Sequence, residues 1–216
     1  MERGGQNFGR DAVMLVGLDF DNTIVCYDRL FHRLAVERSL ITSAVPVTKT
    51  SVRDALRAAG HEHEWTELQG LGYGPRIVDA EPFAGVKEFL ATCASAGIQV
   101  VVISHKTLVP FRGPPYDLHA AAHSFLTTHG FYDSLLSQSN VHLEPTLAAK
   151  LERIDRLECD LFVDDLPEVL HEADFPAHVG KVLFDPADVN ADHPSYTRVN
   201  SWHHLSDVVI GMGVHQ

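Results

Sequence analysis

Two acidic residues follow an apolar run near the start of the chain, and together they could hold a cation. Val13 to Leu18 is typical of a buried strand in a parallel sheet, and Asp19 and Asp21 come directly after it. Ligands of open α/β sheets bind at this end of a strand. Two carboxylates there repel each other unless a cation lies between them, which predicts a Mg²⁺ site with one carboxylate as a nucleophile. Taken alone, the pair favours a plain turn, because Asp and Asn are common turn residues.

Polar side chains also follow two later strand-like runs. Ile98 to Ile103 is followed by Ser104, and Leu161 to Val163 is followed by Asp164 and Asp165. The carboxyl ends of parallel strands meet at one edge of a sheet, so these groups are expected to converge with the first acidic pair. Convergence of this kind is typical of a functional site and is difficult to explain by structural needs alone.

The predicted elements alternate between strands and helices, which favours an α/β fold with a doubly wound parallel sheet. Residues 27–75 have the pattern of several helices, more than one crossover connection requires, and are interpreted as a small helical cap over the strand ends. Residues 13–26 and 76–216 would then form the core, and residues 1–12 a flexible N-terminus. The patterns also predict a helix from Glu81 to Leu90 and a short strand at Leu135 to Ser137.

The order of these groups resembles the motifs of the haloacid dehalogenase-like (HAD) superfamily. Asp-x-Asp-x-Thr follows one strand, a serine follows a second, a lysine precedes the last acidic strand, and Asp-Asp follows it. The resemblance spans nearly the whole chain, and the helical insertion lies where that superfamily carries its type 1 cap. It implies a Rossmann-like core and a Mg²⁺-dependent phosphatase acting on a small phosphorylated metabolite.

The resemblance also implies a role for each site residue. Asp19 would be the nucleophile that forms an aspartyl-phosphate, and Asp21 would be the general acid and then the general base. Ser104 would bind a phosphoryl oxygen. Lys150 would hold Asp19 in position and stabilise the negative charge on the transferring phosphoryl group.

The same resemblance implies the ligands of the metal ion. Asp19, the backbone carbonyl of Asp21, and Asp164 would bind Mg²⁺, while Asp165 is either a second ligand through water or an outer partner. An all-oxygen set of this kind favours Mg²⁺ over zinc.

Other polar residues near the second strand leave alternatives open. Lys106 competes with Lys150 for the catalytic role, and Lys150 is preferred because it precedes the acidic strand. His105, Lys106 and Arg112 are predicted to bind substrate phosphate together with Ser104. His119 and His123 have the i,i+4 spacing of a metal pair, but without a third ligand they are expected to be solvated helix positions.

Composition excludes several classes of partner. The formal net charge of −12 disfavours a nucleic-acid backbone or an anionic membrane, since either would be repelled. Three scattered cysteines and the absence of a signal-like or membrane-length apolar run predict a cytoplasmic protein. A homodimer is left open. The alternative functions are a phosphotransferase or mutase using the same intermediate and a catalytically silent binding or regulatory protein; a dehalogenase is less favoured.

Overall fold

The computed structural model describes residues 13–213, so the predicted flexible segment 1–12 lies outside the described residues. Its main sheet has six parallel strands in the order β5-β4-β1-β6-β7-β8, and a second sheet pairs β2 with β3. The strands are β1 Leu15–Leu18, β2 Val25–Cys26, β3 Glu81–Pro82, β4 Gln99–His105, β5 Val141–Glu144, β6 Leu161–Asp164, β7 Gly180–Phe184 and β8 Thr197–Val199. The helices are α1 Asp28–Glu37, α2 Lys49–Ala58, α3 Glu62–Tyr73, α4 Val86–Ser95, α5 Leu118–Thr128, α6 Leu147–Arg156, α7 Pro167–Leu170 and α8 Trp202–Gly213.

The sheet is buried on both faces, which confirms the predicted doubly wound α/β fold. Val100 and Val102 of β4 pack into one apolar cluster, while Val101 and Ile103 of the same strand pack into the other. Alternate residues of a strand point to opposite faces, so a run that is apolar throughout is what a strand between two helical layers requires. In β1, a Cβ on Gly17 would lie 2.5 Å from the Phe162 ring, so glycine is needed for that ring to pack.

Three helices fill the connection between β2 and β3, within the predicted insertion 27–75. Aromatic rings hold them together: Phe31 of α1 packs against Trp65 of α3 with ring centroids 5.1 Å apart, and against Tyr73 at 5.5 Å. The Thr48 side chain accepts a hydrogen bond from Ser51 N and so caps α2. The division of the chain into core and cap remains a prediction.

Two local predictions are wrong. Leu135 ends a turn and Leu136 and Ser137 have no regular structure; the strand there is β5, a few residues later. β5 lies at an edge of the sheet, and only Val141 of its four residues is buried, so it lacks an apolar signature. The helix predicted from Glu81 begins at Val86, because Glu81 and Pro82 pair with β2 and Gly85 turns the chain with φ 92°. No helix among the described residues is long and apolar enough to cross a membrane.

Candidate active site

The sheet order brings three strand ends together. β1 lies between β4 and β6, so Asp19, Ser104 and Asp164 are neighbours at the carboxyl edge of the sheet. The backbone NH of Asp19 donates to the carbonyl of Val163 at 2.8 Å, which extends the pairing of β1 with β6 to the acidic residue itself. The side chains are therefore placed by the central strands, which are the most buried part of the fold.

Asp19 is held by two donors from different elements. Ser104 Oγ donates to Asp19 Oδ1 at 3.0 Å, and Lys150 Nζ donates to the same oxygen at 2.6 Å. Lys150 also donates to Asp164 Oδ2 at 2.6 Å, and all four side chains are buried. Lys150 comes from α6, whose first turn is capped by Thr146. Burial acts to lower the pKa of Lys150, but its two carboxylate partners raise that pKa above the ordinary value.

Three carboxylates at this edge are suited to a hard cation. One oxygen from each of Asp19, Asp164 and Asp165 lies within 4.8 Å of the others. Burial raises the pKa of Asp19 to about 7, with Lys150 opposing and Asp164 adding to the rise. Burial, together with Asp19, raises the pKa of Asp165 well above its usual value. Oxygen-only donors and uncompensated negative charge fit Mg²⁺, and these three residues would hold it.

Asp21 lies apart from the three carboxylates and has partners of its own. Lys106 Nζ donates to both of its carboxylate oxygens, at 2.9 and 2.7 Å, and Tyr27 OH donates to Oδ1 at 2.5 Å. Burial acts to raise the pKa of Asp21, but Lys106 and Tyr27 lower it below the ordinary value. The next residue, Asn22, has φ 58°, the left-handed conformation that asparagine tolerates and that turns the chain here.

The two lysines that competed in the sequence analysis therefore contact different carboxylates. Lys150 pairs with Asp19 and Asp164, and Lys106 pairs with Asp21. His119 Nε2 donates to the backbone carbonyl of Lys106 at 2.8 Å and so supports the turn that carries this lysine. The expectation that His119 is a solvated position is wrong, because its ring is half-buried and hydrogen-bonded.

His105 and Arg112 are not brought to the carboxylates in this structure. His105 is exposed and makes no side-chain hydrogen bond within residues 13–213. Arg112 Nε lies 3.4 Å from Glu67 Oε1 of α3, so its guanidinium group joins the loop after β4 to the helical insertion. Their predicted role in phosphate binding remains a prediction.

The sequence analysis missed three residues of the insertion that face the site. Tyr27 bonds Asp21 as described, and Lys49 Nζ donates to Asn22 Oδ1 at 3.2 Å. Lys49 Nζ also lies 5.4 Å from the centroid of the Tyr73 ring. A lysine at the first position of a helix and two tyrosines carry no sequence signal of chemistry, since their relation to the site depends on how the insertion packs on the core.

The raised pKa of Asp19 predicts how stability depends on pH in the metal-free protein. Between about pH 4 and 7 the folded chain retains a proton that the unfolded chain releases, so this group makes the free energy of unfolding fall as pH rises. Relative to an Asp19→Asn variant, the wild-type chain is therefore expected to lose thermal stability from pH 5 to pH 8. Excess Mg²⁺ at pH 8 should restore most of the loss.

The measurement is calorimetry at several pH values, with EDTA or with Mg²⁺. The variant serves as the reference because it keeps every histidine of the chain. A difference in melting temperature between the two proteins that stays constant across this range, with and without Mg²⁺, would contradict the prediction.

Comparison with known proteins shows the fold. No protein-family model and no curated protein matches the chain. A HAD family hydrolase of Deinococcus radiodurans with bound phosphate and sodium superposes with a TM-score of 0.59 at 12% identity, over 94% of this chain and 96% of that chain. A dehalogenase gives 0.57 at 16% identity, over 92% and 98%. A HAD-hydrolase of Bacillus subtilis bound to magnesium gives 0.50 at 12%, over 91% and 98%. The chain has the fold of the haloacid dehalogenase-like hydrolases.

Proposed function

We propose that this chain is a hydrolase, specifically a Mg²⁺-dependent phosphatase acting on a small phosphorylated metabolite through an aspartyl-phosphate on Asp19. One observation carries the proposal. The Asp19 carboxylate is held between a buried serine hydroxyl and a buried lysine ammonium group, within a set of carboxylates that fits Mg²⁺. A nucleophile, donors for an anionic group and a cation site are the components that phosphoryl transfer requires.

In the first step, an Asp19 oxygen bonds to phosphorus and the bond from phosphorus to the ester oxygen breaks. Ser104 and Lys150, which contact Asp19 in the free protein, are placed to donate to the transferring group. In the second step, water attacks phosphorus, the bond to Asp19 breaks and phosphate leaves. When bound, Mg²⁺ would supply positive charge next to the phosphoryl oxygens, which three carboxylates would otherwise repel.

Asp21 is the proposed acid and base of these steps. Lys106 and Tyr27 fix its carboxylate and lower its pKa, so it is ionised in the free protein. Asp21 would take up a proton when the ester binds and give it to the leaving oxygen in the first step; the carboxylate so formed would accept the proton of the attacking water in the second step. Lys49 brings a positive charge from α2 to the same side of the site, where it would attract an anionic substrate.

The fold also serves dehalogenases, and one is among the similar structures. Displacement of halide from carbon needs neither a metal ion nor a proton for the leaving group. The three carboxylates together with Asp21 therefore favour phosphate esters as substrates of this chain. A phosphotransferase or mutase would use the same aspartyl-phosphate, with an alcohol in place of water.

The direct test is phosphate release from a panel of phosphate monoesters, with Mg²⁺ and with EDTA. Release that requires Mg²⁺ is expected. If more phosphoryl group is transferred to an added alcohol than is released to water as phosphate, the chain is a phosphotransferase and not a phosphatase. Release of halide from 2-haloacids without release of phosphate would overturn the proposal in favour of dehalogenation. If neither phosphate esters nor 2-haloacids are turned over, the result favours the alternative that the chain is a catalytically silent binding or regulatory protein.

A further inference from the structure

The loop after β4 carries three exposed apolar side chains within four residues. The exposed fraction is 61% for Leu108, 48% for Val109 and 100% for Phe111, and neither apolar core cluster of the described chain includes them. They are called here the Phe111 patch. Adjacent apolar side chains in water mark a surface where another molecule binds, because covering them is favourable. We propose that two copies of this chain bind each other through the Phe111 patch, with Phe111 of each copy entering a hollow on the other.

The hollow lies directly beside the Phe111 patch, between α3 and the segment 107–118, and has a volume of about 170 Å³. Tyr73, Pro110 and Leu118 give it apolar walls, and Phe111 lines one side. An engineered protein cavity of roughly 150 Å³ holds benzene, so a phenyl ring from another molecule has room here. The surface therefore presents an exposed aromatic ring next to a space that accepts one.

The hollow is separate from the proposed catalytic groups. The buried Lys106 side chain lies between it and Asp21, with Nζ 5.4 Å from the centroid of the Phe20 ring and 5.1 Å from that of the Tyr73 ring. Among the described residues, the lining of the hollow includes no carboxylate and no lysine. The dimer contact is therefore independent of the proposed function.

The loop that presents Phe111 is held against the rest of the chain. The backbone NH of Leu118 donates to the carbonyl of Leu108 at 3.0 Å, which closes the base of the loop. At its far side, a Cβ on Gly70 would lie 2.9 Å from the carbonyl oxygen of Arg112, so the loop backbone lies directly on α3. A ring presented by a loop with fixed contacts loses little conformational entropy when it binds.

Two-fold symmetry explains why the ring and the hollow lie side by side. In a two-fold dimer both copies use the same surface, so a group on one copy must find its acceptor on that same surface of the other. Phe111 of each copy then packs against Tyr73 of the other, and aromatic pairs of this kind are favourable beyond the area that they bury. A different protein would need to supply a ring and a hollow of its own at matching positions.

Charges beside the hollow support a second copy as the occupant. Arg112 Nε lies 3.4 Å from Glu67 Oε1, and these side chains remain 48% and 43% exposed. One cation and one anion on the same surface are self-complementary, since the two-fold axis brings Arg112 of one copy towards Glu67 of the other. A polyanion would instead be repelled by the net charge of −12.

The first test measures self-association of the full chain. Sedimentation velocity from about 1 µM to 1 mM should show a monomer–dimer equilibrium. Phe111→Ala should raise the dissociation constant on the order of 100-fold, because each dimer loses two aromatic contacts worth roughly tenfold each. Val189→Ala is the matched control, since Val189 is 78% exposed but lies between β7 and β8 and not after β4. It should leave the dissociation constant unchanged.

A charge-reversal experiment tests the two-fold arrangement itself. Arg112→Glu places like charges opposite each other at both ends of the contact, and so does Glu67→Arg, so each variant alone should dimerise roughly tenfold more weakly. An equimolar mixture of the two variants should dimerise about as tightly as the wild-type chain, because each contact again joins opposite charges. Arg57→Glu and Glu62→Arg are the matched controls. They reverse an exposed ion pair elsewhere in the insertion and should change nothing, alone or mixed.

Three results would overturn the dimer. They are a wild-type chain that stays monomeric up to about 1 mM, a dimer that Phe111→Ala and Val189→Ala weaken equally, and a mixture of Arg112→Glu and Glu67→Arg that dimerises as weakly as its components. Flotation with phosphatidylcholine vesicles completes the comparison, since a monomeric chain that binds vesicles through Phe111 would assign the patch to a lipid surface instead. Phosphate release bears on none of these outcomes, so the dimer and the proposed function are tested separately.

Discussion

Replacing Asp19 by asparagine is expected to abolish phosphate release while the chain still folds. The variant keeps the size of the side chain and an oxygen acceptor for Ser104 and Lys150, but its amide cannot attack phosphorus. The loss in kcat should be on the order of 10³-fold or more. Single-turnover phosphate release in the presence of Mg²⁺ measures it, and no phosphorylated protein should accumulate.

Stability should change in the opposite direction to activity. Asp19 is one of three carboxylates packed together, and burial with these neighbours raises its pKa, so removing its charge relieves repulsion in the metal-free fold. The free energy of unfolding at pH 8 in EDTA should rise by about 1–2 kcal/mol. The matched control is Asp54→Asn, the same change at an exposed aspartate paired with Arg53 on α2. It should alter neither property, and substantial phosphate release by Asp19→Asn would remove Asp19 from its proposed role.

The central strands and the groups that follow them were predictable from the sequence, for a physical reason. A parallel strand buried on both faces must be apolar throughout, so β1, β4 and β6 are visible as runs that end abruptly in Asp19, Ser104 and Asp164. Adjacency of these strands then requires their ends to meet. β5 and β8 are the edge strands, and each pairs with only one neighbouring strand. They tolerate polar residues, so their sequences contain no continuous apolar run, and neither strand was predicted.

The partners of Asp21 could not be predicted in the same way. Tyr27 comes from the insertion, and Lys106 follows β4, so both contacts depend on how a turn and a helical layer close over the strand ends. Sequence order suggested that the two lysines compete for one role. The position of a lysine in the sequence does not determine which carboxylate it contacts, because its side chain is long and flexible. In the structure, Lys106 pairs with Asp21, and Lys150 pairs with Asp19 and Asp164.

Removing Lys150 is expected to damage both stability and catalysis. Lys150→Met would leave Asp19 and Asp164 buried without their shared cation, and breaking a buried ion pair from one side costs about 3–5 kcal/mol. Lys106→Met is the matched control, since Lys106 is also buried but its partner Asp21 is more exposed than Asp19. It should cost less stability. Urea denaturation in EDTA measures both variants, and their kcat values for the same ester show which lysine supports the chemical step.

A double-mutant cycle decides whether that cost arises from the Lys150–Asp19 contact. In Lys150→Met, two buried carboxylates lack their shared cation, whereas in the double variant with Asp19→Asn one of the two charges is gone. The double variant should therefore be more stable than the sum of the single changes predicts, by on the order of 1–3 kcal/mol.

Mg²⁺ should also raise the melting temperature of Lys150→Met more than that of the wild-type chain, because the cation replaces the lost positive charge. Additive single changes, or no Mg²⁺ response in Lys150→Met, would show that Lys150 does not neutralise Asp19 and would remove the contact on which the proposed chemistry depends.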